Sequence, residues 1–317
     1  MGKITQETRM RNYHKIYEQI YGEPTMSLYD IAVTTGLSRN TVSAYVKDMY
    51  TKNIMVGPHL RMNPCSNYKE YVHLLKFTDP WLVFRGLNQF PHVLYHGMTF
   101  GDWNTLVITD KLLDFSQLKG FQTVVHQGIR GYSLTPKVAY TTWDTCFKAV
   151  NEHIVVFTPR TEYSNQQLTP LLWGKDEWKL FYSFKYNMRK TVTPLLKKIN
   201  VRYETYAKWM ETLHNHCSIH TGFYPEGYKN YLSHCFLVSS DYRSLLQPLF
   251  SLLPATPFIM EVGDQLLIFV NVPSPQITNL FCTIYHMKVK KIITTFSQAV
   301  VIFHYQHQIH FMMQTIP

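Results

Sequence analysis

The chain has 317 residues, which is long enough to bury the cores of two or three domains. With 31 Lys and Arg against 21 Asp and Glu, its formal net charge is +10, so nucleic acid is the expected acidic partner. The five scattered cysteines lack a CxxC pair, and neither a signal peptide nor an apolar run of roughly 20 residues is evident. We therefore expect a cytoplasmic protein without a membrane partner.

Residues 27–57 have the pattern of a helix-turn-helix. Ser27 is placed to cap a first short helix, and Gly36 supplies a turn that needs a positive φ. Ser38 then caps a second helix whose apolar residues recur at 3- and 4-residue spacing. The stretch after it is predicted to be the first strand and turn of a wing. We therefore predict a winged helix-turn-helix DNA-binding domain over residues 1–65.

The outward face of the second helix favours DNA contact. Its first turns carry no acid, and its side chains are of types that reach base edges and phosphates. The alternative is a degenerate head that mediates only protein contacts. The predicted DNA-binding residues of this head are Ser38, Arg39, Asn40, Thr41, Ser43 and Lys47.

The next segment, residues 66–143, alternates strand-like and helix-like stretches in the order βαββαβ. The first strand is predicted around residues 71–77, and a helical stretch follows around residues 81–89. A proline-marked break and a turn at Gly101 precede a buried strand. This order predicts a ferredoxin-like unit.

The second half of the chain repeats this pattern. When Gly36 is aligned with Asn200, Tyr45 meets Trp209, and Asn is the usual substitute for Gly where φ is positive. The repeat predicts that two ferredoxin-like domains pack sheet against sheet. The predicted units are a strand and linker over 144–174, a second winged helix-turn-helix over 175–226 and a second ferredoxin-like domain over 227–317.

The second head is rich in basic residues. The segment from Lys185 to Arg202 contains six of them and no acid, which favours contact with the DNA backbone. A solvated face is the alternative, and Glu204 lies where the first head has Asn40. The predicted DNA-binding residues here are Arg189, Lys190, Lys197, Lys198, Arg202 and Lys208.

The motif from Asp30 to Val42 and the βαββαβ order resemble the Lrp/AsnC (feast/famine) family of transcription regulators. The resemblance implies an α+β fold with two copies of a winged helix-turn-helix followed by a ferredoxin-like domain, forming an intramolecular pseudo-dimer. It implies a sequence-specific regulator that binds double-stranded DNA, is not an enzyme and needs no cofactor. Two further properties of the family are possible here: binding of a small-molecule effector at the effector-domain interface, and assembly into a homo-oligomer. The family's Gly-x-x-Asp turn is absent, since Gly101 is followed by Asn104 and Gly263 by Leu266.

Siroheme decarboxylases, which are similar to this family in architecture, provide the alternative function. They use histidines around a tetrapyrrole, and His126 and His286 fall at matching positions of the two copies, predicted to be at a helix end. Histidine at a helix C-terminus is also explained by the helix dipole. We therefore expect neither decarboxylation nor a spectral shift with siroheme.

Two further histidine groups are candidate metal ligands. His216 and His220 are four residues apart with Cys217 between them, but this spacing lies where a helix is predicted to give way to a strand. Near the end of the chain, histidines alternate with aromatic residues, which favours a mixed polar strand edge. We expect no bound metal at either group, the second of which comprises His304, His307 and His310.

Overall fold

The computed structural model describes residues 5–156 and 168–306. Within them, no helix combines the length and the apolar character that crossing a membrane requires. The helices are α1 (Gln6–Gly22), α2 (Leu28–Thr35), α3 (Arg39–Thr51), α4 (Pro80–Gly86), α5 (Trp143–Val155), α6 (Lys175–Phe184), α7 (Val192–Ile199), α8 (Tyr203–His216), α9 (Arg243–Ser251) and α10 (Ile277–Val289). The strands are β1 (Met55–Met62), β2 (Tyr71–Phe77), β3 (Val93–Gly101), β4 (Thr105–Thr109), β5 (Phe121–Leu134), β6 (Cys217–Phe223), β7 (Leu232–Ser239), β8 (Phe258–Val262), β9 (Gln265–Val272) and β10 (Thr295–Gln306).

The first head consists of α1, α2, α3 and β1. Ser27 and Ser38 cap α2 and α3, each accepting a hydrogen bond from the backbone N–H three residues later. Gly36 ends α2 in the left-handed region with φ 70°. Apolar side chains from all three helices, including Ile16 and Val42, form a buried core. The helix-turn-helix is therefore built as its capping and turn residues predict.

The second head consists of α6, α7, α8 and β6 and uses the same devices. Asn200 ends α7 with φ 54°, which is the left-handed turn that Gly36 makes in the first head. Its core is more aromatic, with Phe184 and Trp209 fully buried between the helices. The Gly36–Asn200 alignment thus corresponds to a shared backbone conformation.

The predicted wings differ from the observed structure. Each head contributes a single strand, and these two strands pair with each other in an antiparallel two-stranded sheet, from Met55 opposite Phe223 to Met62 opposite Cys217. The sequence indicated a strand followed by a turn, but the partner strand lies in the other head, far away in sequence. The heads are therefore joined directly through β1 and β6.

The remaining strands form one closed eight-stranded sheet, in the order β10-β3-β4-β2-β5-β8-β9-β7. The two halves of the chain join at two places. The long strand β5 pairs with β2 of its own half and with β8 of the other, while β10 pairs with both β7 and β3. We call this sheet, with α4, α5, α9 and α10, the body. The α+β class is confirmed, but the expected packing of two separate sheets is replaced by a shared one.

The first half lacks the second helix of the predicted βαββαβ unit. Residues 110–120, between β4 and β5, form turns and irregular chain, and the backbone N–H of Ser116 donates to the Asp114 carboxylate. Phe115 from this segment is buried under β2 and β4, so it covers the sheet where a helix was expected. The second half does have the full order, with α9 and α10 in the two helix positions.

Part of the predicted strand and linker over 144–174 is a helix. Thr142 caps α5, and its apolar side chains recur at helical spacing, including Trp143, Phe147 and Val150. This face packs against α9 and α10 in the core of the second half. The described part of this segment contains no strand, and residues 157–167 lie outside the described chain.

Gly101 tests the junction between the halves. Its φ is +149°, and a Cβ there would collide with the Gln298 carbonyl oxygen and lie 2.6 Å from the Ala299 Cα, both on β10. We expect Gly101→Ala to lower the free energy of unfolding by about 2 kcal/mol or more, measured by urea denaturation. Gly36→Ala is the matched control, because its φ is also positive but open space surrounds it, so about 1 kcal/mol is expected. Equal losses in the two variants would contradict this account of the junction.

Candidate active site

A cavity of about 180 Å³ lies where the two heads meet the open end of the body's interior. Its walls come from both heads and from most strands of the closed sheet. Basic and hydroxyl groups come from both the heads and the sheet, and apolar side chains of the sheet complete the lining. The lining residues that the following paragraphs use are Arg61, Glu70, Tyr95, Leu106, Ile108, Arg130, Lys185, Tyr186, Tyr224, Tyr228, Phe258, Met260, Phe269, Asn271 and His304.

Arg130 on β5 is the best-anchored cation of the cavity. Its Nε donates to Glu70 Oε2 at 2.6 Å, and its Nη2 donates to the Met62 carbonyl oxygen at 2.6 Å. Both side chains are nearly buried, so this ion pair is poorly screened by solvent. Arg130 therefore ties β5 to the first head, and most of its charge is compensated by Glu70.

Arg61 and Lys185 lie close together because their backbones are linked. The Leu60 N–H donates to the Lys185 carbonyl oxygen at 2.8 Å, which joins β1 of the first head to the end of α6 in the second. Lys185 is 8% exposed, and its ammonium lies over the rings of Phe181 and Tyr186 at 5.5 and 5.6 Å. In the described chain, neither side chain has an ion pair, so the cavity carries more positive than negative charge.

Burial shifts the protonation of these groups. It lowers the pKa of Lys185 to about 8, an effect that Arg61 and Arg130 add to and Glu70 opposes. The pKa of Arg61 is likewise lowered, first by burial and then by the neighbouring Arg130. Burial alone would raise the pKa of Glu70, but Arg130 and Lys185 bring it below its ordinary value, so this carboxylate is ionised. Near neutral pH the cavity therefore holds three cations against one anion.

Neutral polar groups complete the lining. Burial raises the pKa of Tyr95, Tyr186 and Tyr228, so these phenols keep their protons and can donate hydrogen bonds. Asn271 is 4% exposed, and its Oδ1 has no hydrogen-bond partner in the described part of the chain. A buried amide oxygen left unpaired costs stability, which is typical of a site built for a ligand.

The arrangement is suited to an organic anion. Arginine and lysine without protein anions bind carboxylates or phosphates, and phenol donors and an amide add directional hydrogen bonds. The sheet-side wall of Leu106, Ile108, Phe258, Met260 and Phe269 suits an apolar ligand body. Among the described residues, no group of three or more His, Cys, Asp or Glu side chains could hold a metal ion.

The predicted DNA-binding residues of the first head lie outside this cavity. Arg39, Asn40, Ser43 and Lys47 are exposed on α3. Ser38 caps the helix, since its Oγ accepts from the Thr41 N–H at 3.1 Å. The face predicted from the sequence is thus presented to solvent.

The basic segment of the second head is divided between three environments. Lys197, Lys198, Arg202 and Lys208 are exposed, and Lys190 is exposed with its Nζ bonded to the Ser183 carbonyl oxygen at 2.7 Å. Arg189 is partly buried and donates to the Pro24 carbonyl oxygen at 3.0 Å, so it joins the heads rather than forming a free phosphate contact. Lys185, which the sequence placed with this basic face, is buried in the cavity.

The two histidines proposed for the tetrapyrrole do not come together. His126 lies on β5, not at a helix end, and its Nε2 is 3.2 Å from the Val262 carbonyl oxygen. His286 lies on α10, with its Nδ1 3.0 Å from Asn151 Oδ1 on α5. Neither lines the cavity, and the two do not occupy equivalent places, since the first half has no helix corresponding to α10 in its described residues.

The other histidines that the sequence offered as candidate metal ligands do not form a cluster in the described chain. Helix α8 ends at His216, and Cys217 begins β6, so the four-residue spacing to His220 is not helical. His304 on β10 stacks on Tyr95 with ring centroids 6.0 Å apart and lines the cavity. His307 and His310 lie outside the described residues.

The cavity residues were missed because they are isolated in sequence. Arg61 stands alone between Leu60 and Met62, and Glu70 lies in a connecting segment. A lone cation at the end of a predicted strand is a weak signal, and its partners come from distant segments.

No protein-family model and no curated protein sequence matches the chain. Among solved structures, it is similar to siroheme decarboxylase NirDL, with a TM-score of 0.49 and 11% identity over 93% of this chain and 92% of that chain. NirDL in complex with an iron-uroporphyrin III analogue gives a TM-score of 0.48 and 12% identity over the same shares. AsnC of E. coli gives a TM-score of 0.30 and 13% identity over 38% of this chain and 89% of that chain.

These comparisons correct one expectation. The sequence led us to expect no enzymatic activity, whereas the solved structures that resemble the chain over 93% of its length are those of an enzyme. At the coarse level, the order of a helix-turn-helix followed by βαββαβ in the second half agrees with an Lrp/AsnC-like fold.

Lys185 gives a test of the charge imbalance. Its folded-state pKa of about 8 lies below the ordinary 10.5, so the unfolded chain binds more protons between these values. The free energy of unfolding should therefore rise as the pH rises from about 8 to about 10.5, by at most about 3 kcal/mol. Lys185→Met should be more stable than wild type at pH 7 and should lack this rise, as measured by urea denaturation at a series of pH values.

Lys175→Met is the control, because Lys175 is exposed at the start of α6, the helix that Lys185 follows. It should leave both the stability and its pH dependence unchanged. A Lys185→Met variant less stable than wild type at pH 7 would show that the ammonium has a stabilising partner and would contradict the imbalance.

Proposed function

We propose that this protein is an enzyme of the siroheme decarboxylase type, which binds a tetrapyrrole through its carboxylate side chains and removes carbon dioxide from it. The observation that carries the proposal is the pair Arg61 and Lys185, which line the cavity and form no ion pair in the described chain, since Glu70 is paired with Arg130. The resemblance to NirDL, solved with an iron-uroporphyrin III analogue, suggests the substrate class.

The charge of the cavity supports a ligand with several carboxylates. Burying an unpaired cation costs free energy, and a bound carboxylate would offset that cost by forming charge-assisted hydrogen bonds. Arg130 is already paired with Glu70, so Arg61 and Lys185 are the groups left to receive carboxylates. Two free cations a short distance apart suit neighbouring acidic side chains on one edge of a macrocycle.

The size of the cavity limits which part of the ligand it receives. Its volume of about 180 Å³ is smaller than the ~300–1,000 Å³ of pockets that enclose a whole ligand. The cavity would therefore hold the carboxylate-bearing edge of a tetrapyrrole, with the rest of the ring outside. A wider opening between the heads and the body would be needed to enclose the entire macrocycle.

The mixed lining suits loss of carbon dioxide. In this reaction the carbon–carbon bond to the carboxylate breaks, the bonding electron pair stays on the ring side, and a proton replaces the lost group. A carboxylate held against apolar side chains such as Phe258 and Phe269 loses hydration, which favours neutral carbon dioxide over the anion. A second carboxylate bound to Arg61 would supply the binding free energy that holds the reacting carboxylate in place.

The proposal is tested by adding siroheme or iron-uroporphyrin III to the purified protein. We expect a saturable change in the tetrapyrrole absorbance and, with siroheme, products that have lost carbon dioxide, detected by mass spectrometry. Arg61→Ala should weaken binding about 10- to 100-fold, because a hydrogen bond to a charged group is lost. Arg11→Ala is the control, since Arg11 is exposed on α1.

Absence of both the absorbance change and the mass loss in the wild-type protein would refute the enzyme proposal. Equal binding by wild type and Arg61→Ala would instead refute the assigned cavity while leaving the activity in place.

The exposed face of α3 favours a second function, binding of double-stranded DNA. Arg39 and Asn40 are both exposed at its start. If they contact bases, Arg39→Ala or Asn40→Ala should cost about 1–3 kcal/mol on a selected DNA site, whereas Lys47→Ala should weaken binding to all sequences alike. Fluorescence anisotropy on randomised and selected duplexes measures this. Wild-type affinity in both Arg39→Ala and Asn40→Ala would refute base contact by this helix.

We also infer that the chain is a fused pair of Lrp/AsnC-like units. Two features support this: the antiparallel pairing of β1 with β6, and the closed sheet to which each half contributes four strands. In such a pair, the first head is suited to base contact and the second, through Lys197, Lys198 and Arg202, to the DNA backbone. The cavity would then correspond to the interface between effector domains, where the sequence leaves open whether a small-molecule effector binds.

A further inference from the structure

We propose that Lys185 is the proton donor that completes the decarboxylation, an inference that rests on the proposed function. Loss of carbon dioxide leaves an electron pair on the substrate, and a proton must reach the carbon that carried the carboxylate. The donor must therefore line the cavity, carry a transferable proton and not be held in an ion pair within the protein. Lys185 satisfies all three conditions.

The other titratable groups on the cavity wall fail at least one condition. Arg61 and Arg130 are excluded because a guanidinium does not serve as a proton donor in proteins. Glu70 is ionised, since its pKa is lowered by Arg130 and Lys185 against the effect of burial. Burial lowers the pKa of His304, so its ring is neutral at pH 7 and has no proton of an imidazolium to give. Burial raises the pKa of the four lining tyrosines, so they release their protons less readily than a free phenol; they are Tyr95, Tyr186, Tyr224 and Tyr228.

The position of Lys185 suits proton delivery. It directly follows α6, where the chain is held by hydrogen bonds from its N–H to the Phe181 carbonyl oxygen and from the Leu60 N–H to its own carbonyl oxygen. The rings of Phe181 and Tyr186 flank the ammonium, so it is oriented without being neutralised. The fixed backbone and apolar flanks leave its protons available to a bound ligand.

The surrounding charges keep this proton transferable. Arg61 and Arg130 lower the affinity of Lys185 for its proton, Glu70 raises it, and the nearby Cys217 is a neutral thiol because burial raises its pKa. An ammonium with a pKa of about 8 is a much better acid at pH 7 than an exposed lysine.

The step is balanced without an oxidant or a reductant. The carbon–carbon bond breaks to release carbon dioxide, and its electron pair passes to the substrate carbon. That pair takes a proton from the Lys185 ammonium to form a carbon–hydrogen bond. The resulting neutral amine regains a proton from water, which restores the enzyme.

Lys185→Arg separates charge from proton donation. The guanidinium keeps the positive charge that binds a carboxylate, but it does not release a proton at ordinary pH. We expect the absorbance titration with siroheme to give a dissociation constant within a few-fold of wild type, and kcat to fall about 100-fold or more. Lys175→Arg, on the exposed part of α6, should leave both unchanged.

The pH dependence of kcat/KM distinguishes a proton donor from a residue with a purely structural role. A proton donor must be protonated, so wild-type kcat/KM should decline as the pH rises through about 8, and this limb should be missing in Lys185→Arg. In Lys185→Ala, added methylamine should restore part of kcat by entering the space left by the side chain. Circular dichroism melting shows whether each variant is folded.

The outcomes distinguish the two proposals. If the wild-type protein neither binds nor decarboxylates siroheme, the proposed function fails. If wild type is active and a folded Lys185→Arg keeps its kcat and its alkaline limb, the enzyme stands and Lys185 is not the donor. If Lys185→Arg binds siroheme more weakly but has an unchanged kcat at saturation, Lys185 acts in binding alone and the proposal is also overturned.

Discussion

Strand β10 forms hydrogen bonds along both of its edges, with β7 of its own half and with β3 of the other half. Strand β5 does the same on the opposite side, by pairing with β2 and β8. These two strands close the sheet, so none of its eight strands has a free edge on which another chain could pair. Closure also creates an enclosed interior. One end of it is packed with apolar side chains, and the heads cover the other, which is where the cavity forms.

The cavity holds cations because closure brings separate segments to one end. Arg130 comes from the long strand β5, Arg61 from the strand between the heads, and Lys185 from the end of α6. Glu70 compensates for one of them, and the remaining charge is carried at a cost in stability. Such a cost is often retained where function and stability compete, and it accords with the ligand site that we propose.

Local signals predicted the local structure well. Ser27, Gly36 and Ser38 are capping and turn residues whose effects act within a few positions, so they fixed the first helix-turn-helix. Helix α5 was missed although its apolar residues recur at helical spacing, because the polar composition around it suggested a linker. The absent helix between β4 and β5 could not be foreseen, since Phe115 covers the sheet from an irregular segment. The cavity could not be predicted from the sequence, because it depends on strands of one half pairing with strands of the other, and such pairing leaves no short-range pattern.

The two halves contribute unequally to the cavity, which is possible because both belong to one chain. In a symmetric pair of identical chains, every cation near the axis would occur twice, and each would face a copy of the same charge. Here Arg61, Glu70 and Arg130 come from the first half, and Lys185 and Asn271 come from the second. Each half can therefore specialise, one providing the anchored ion pair and the other the ammonium and the amide. The two halves also differ elsewhere: the first has no helix corresponding to α10 in its described residues, and His126 and His286 lie apart.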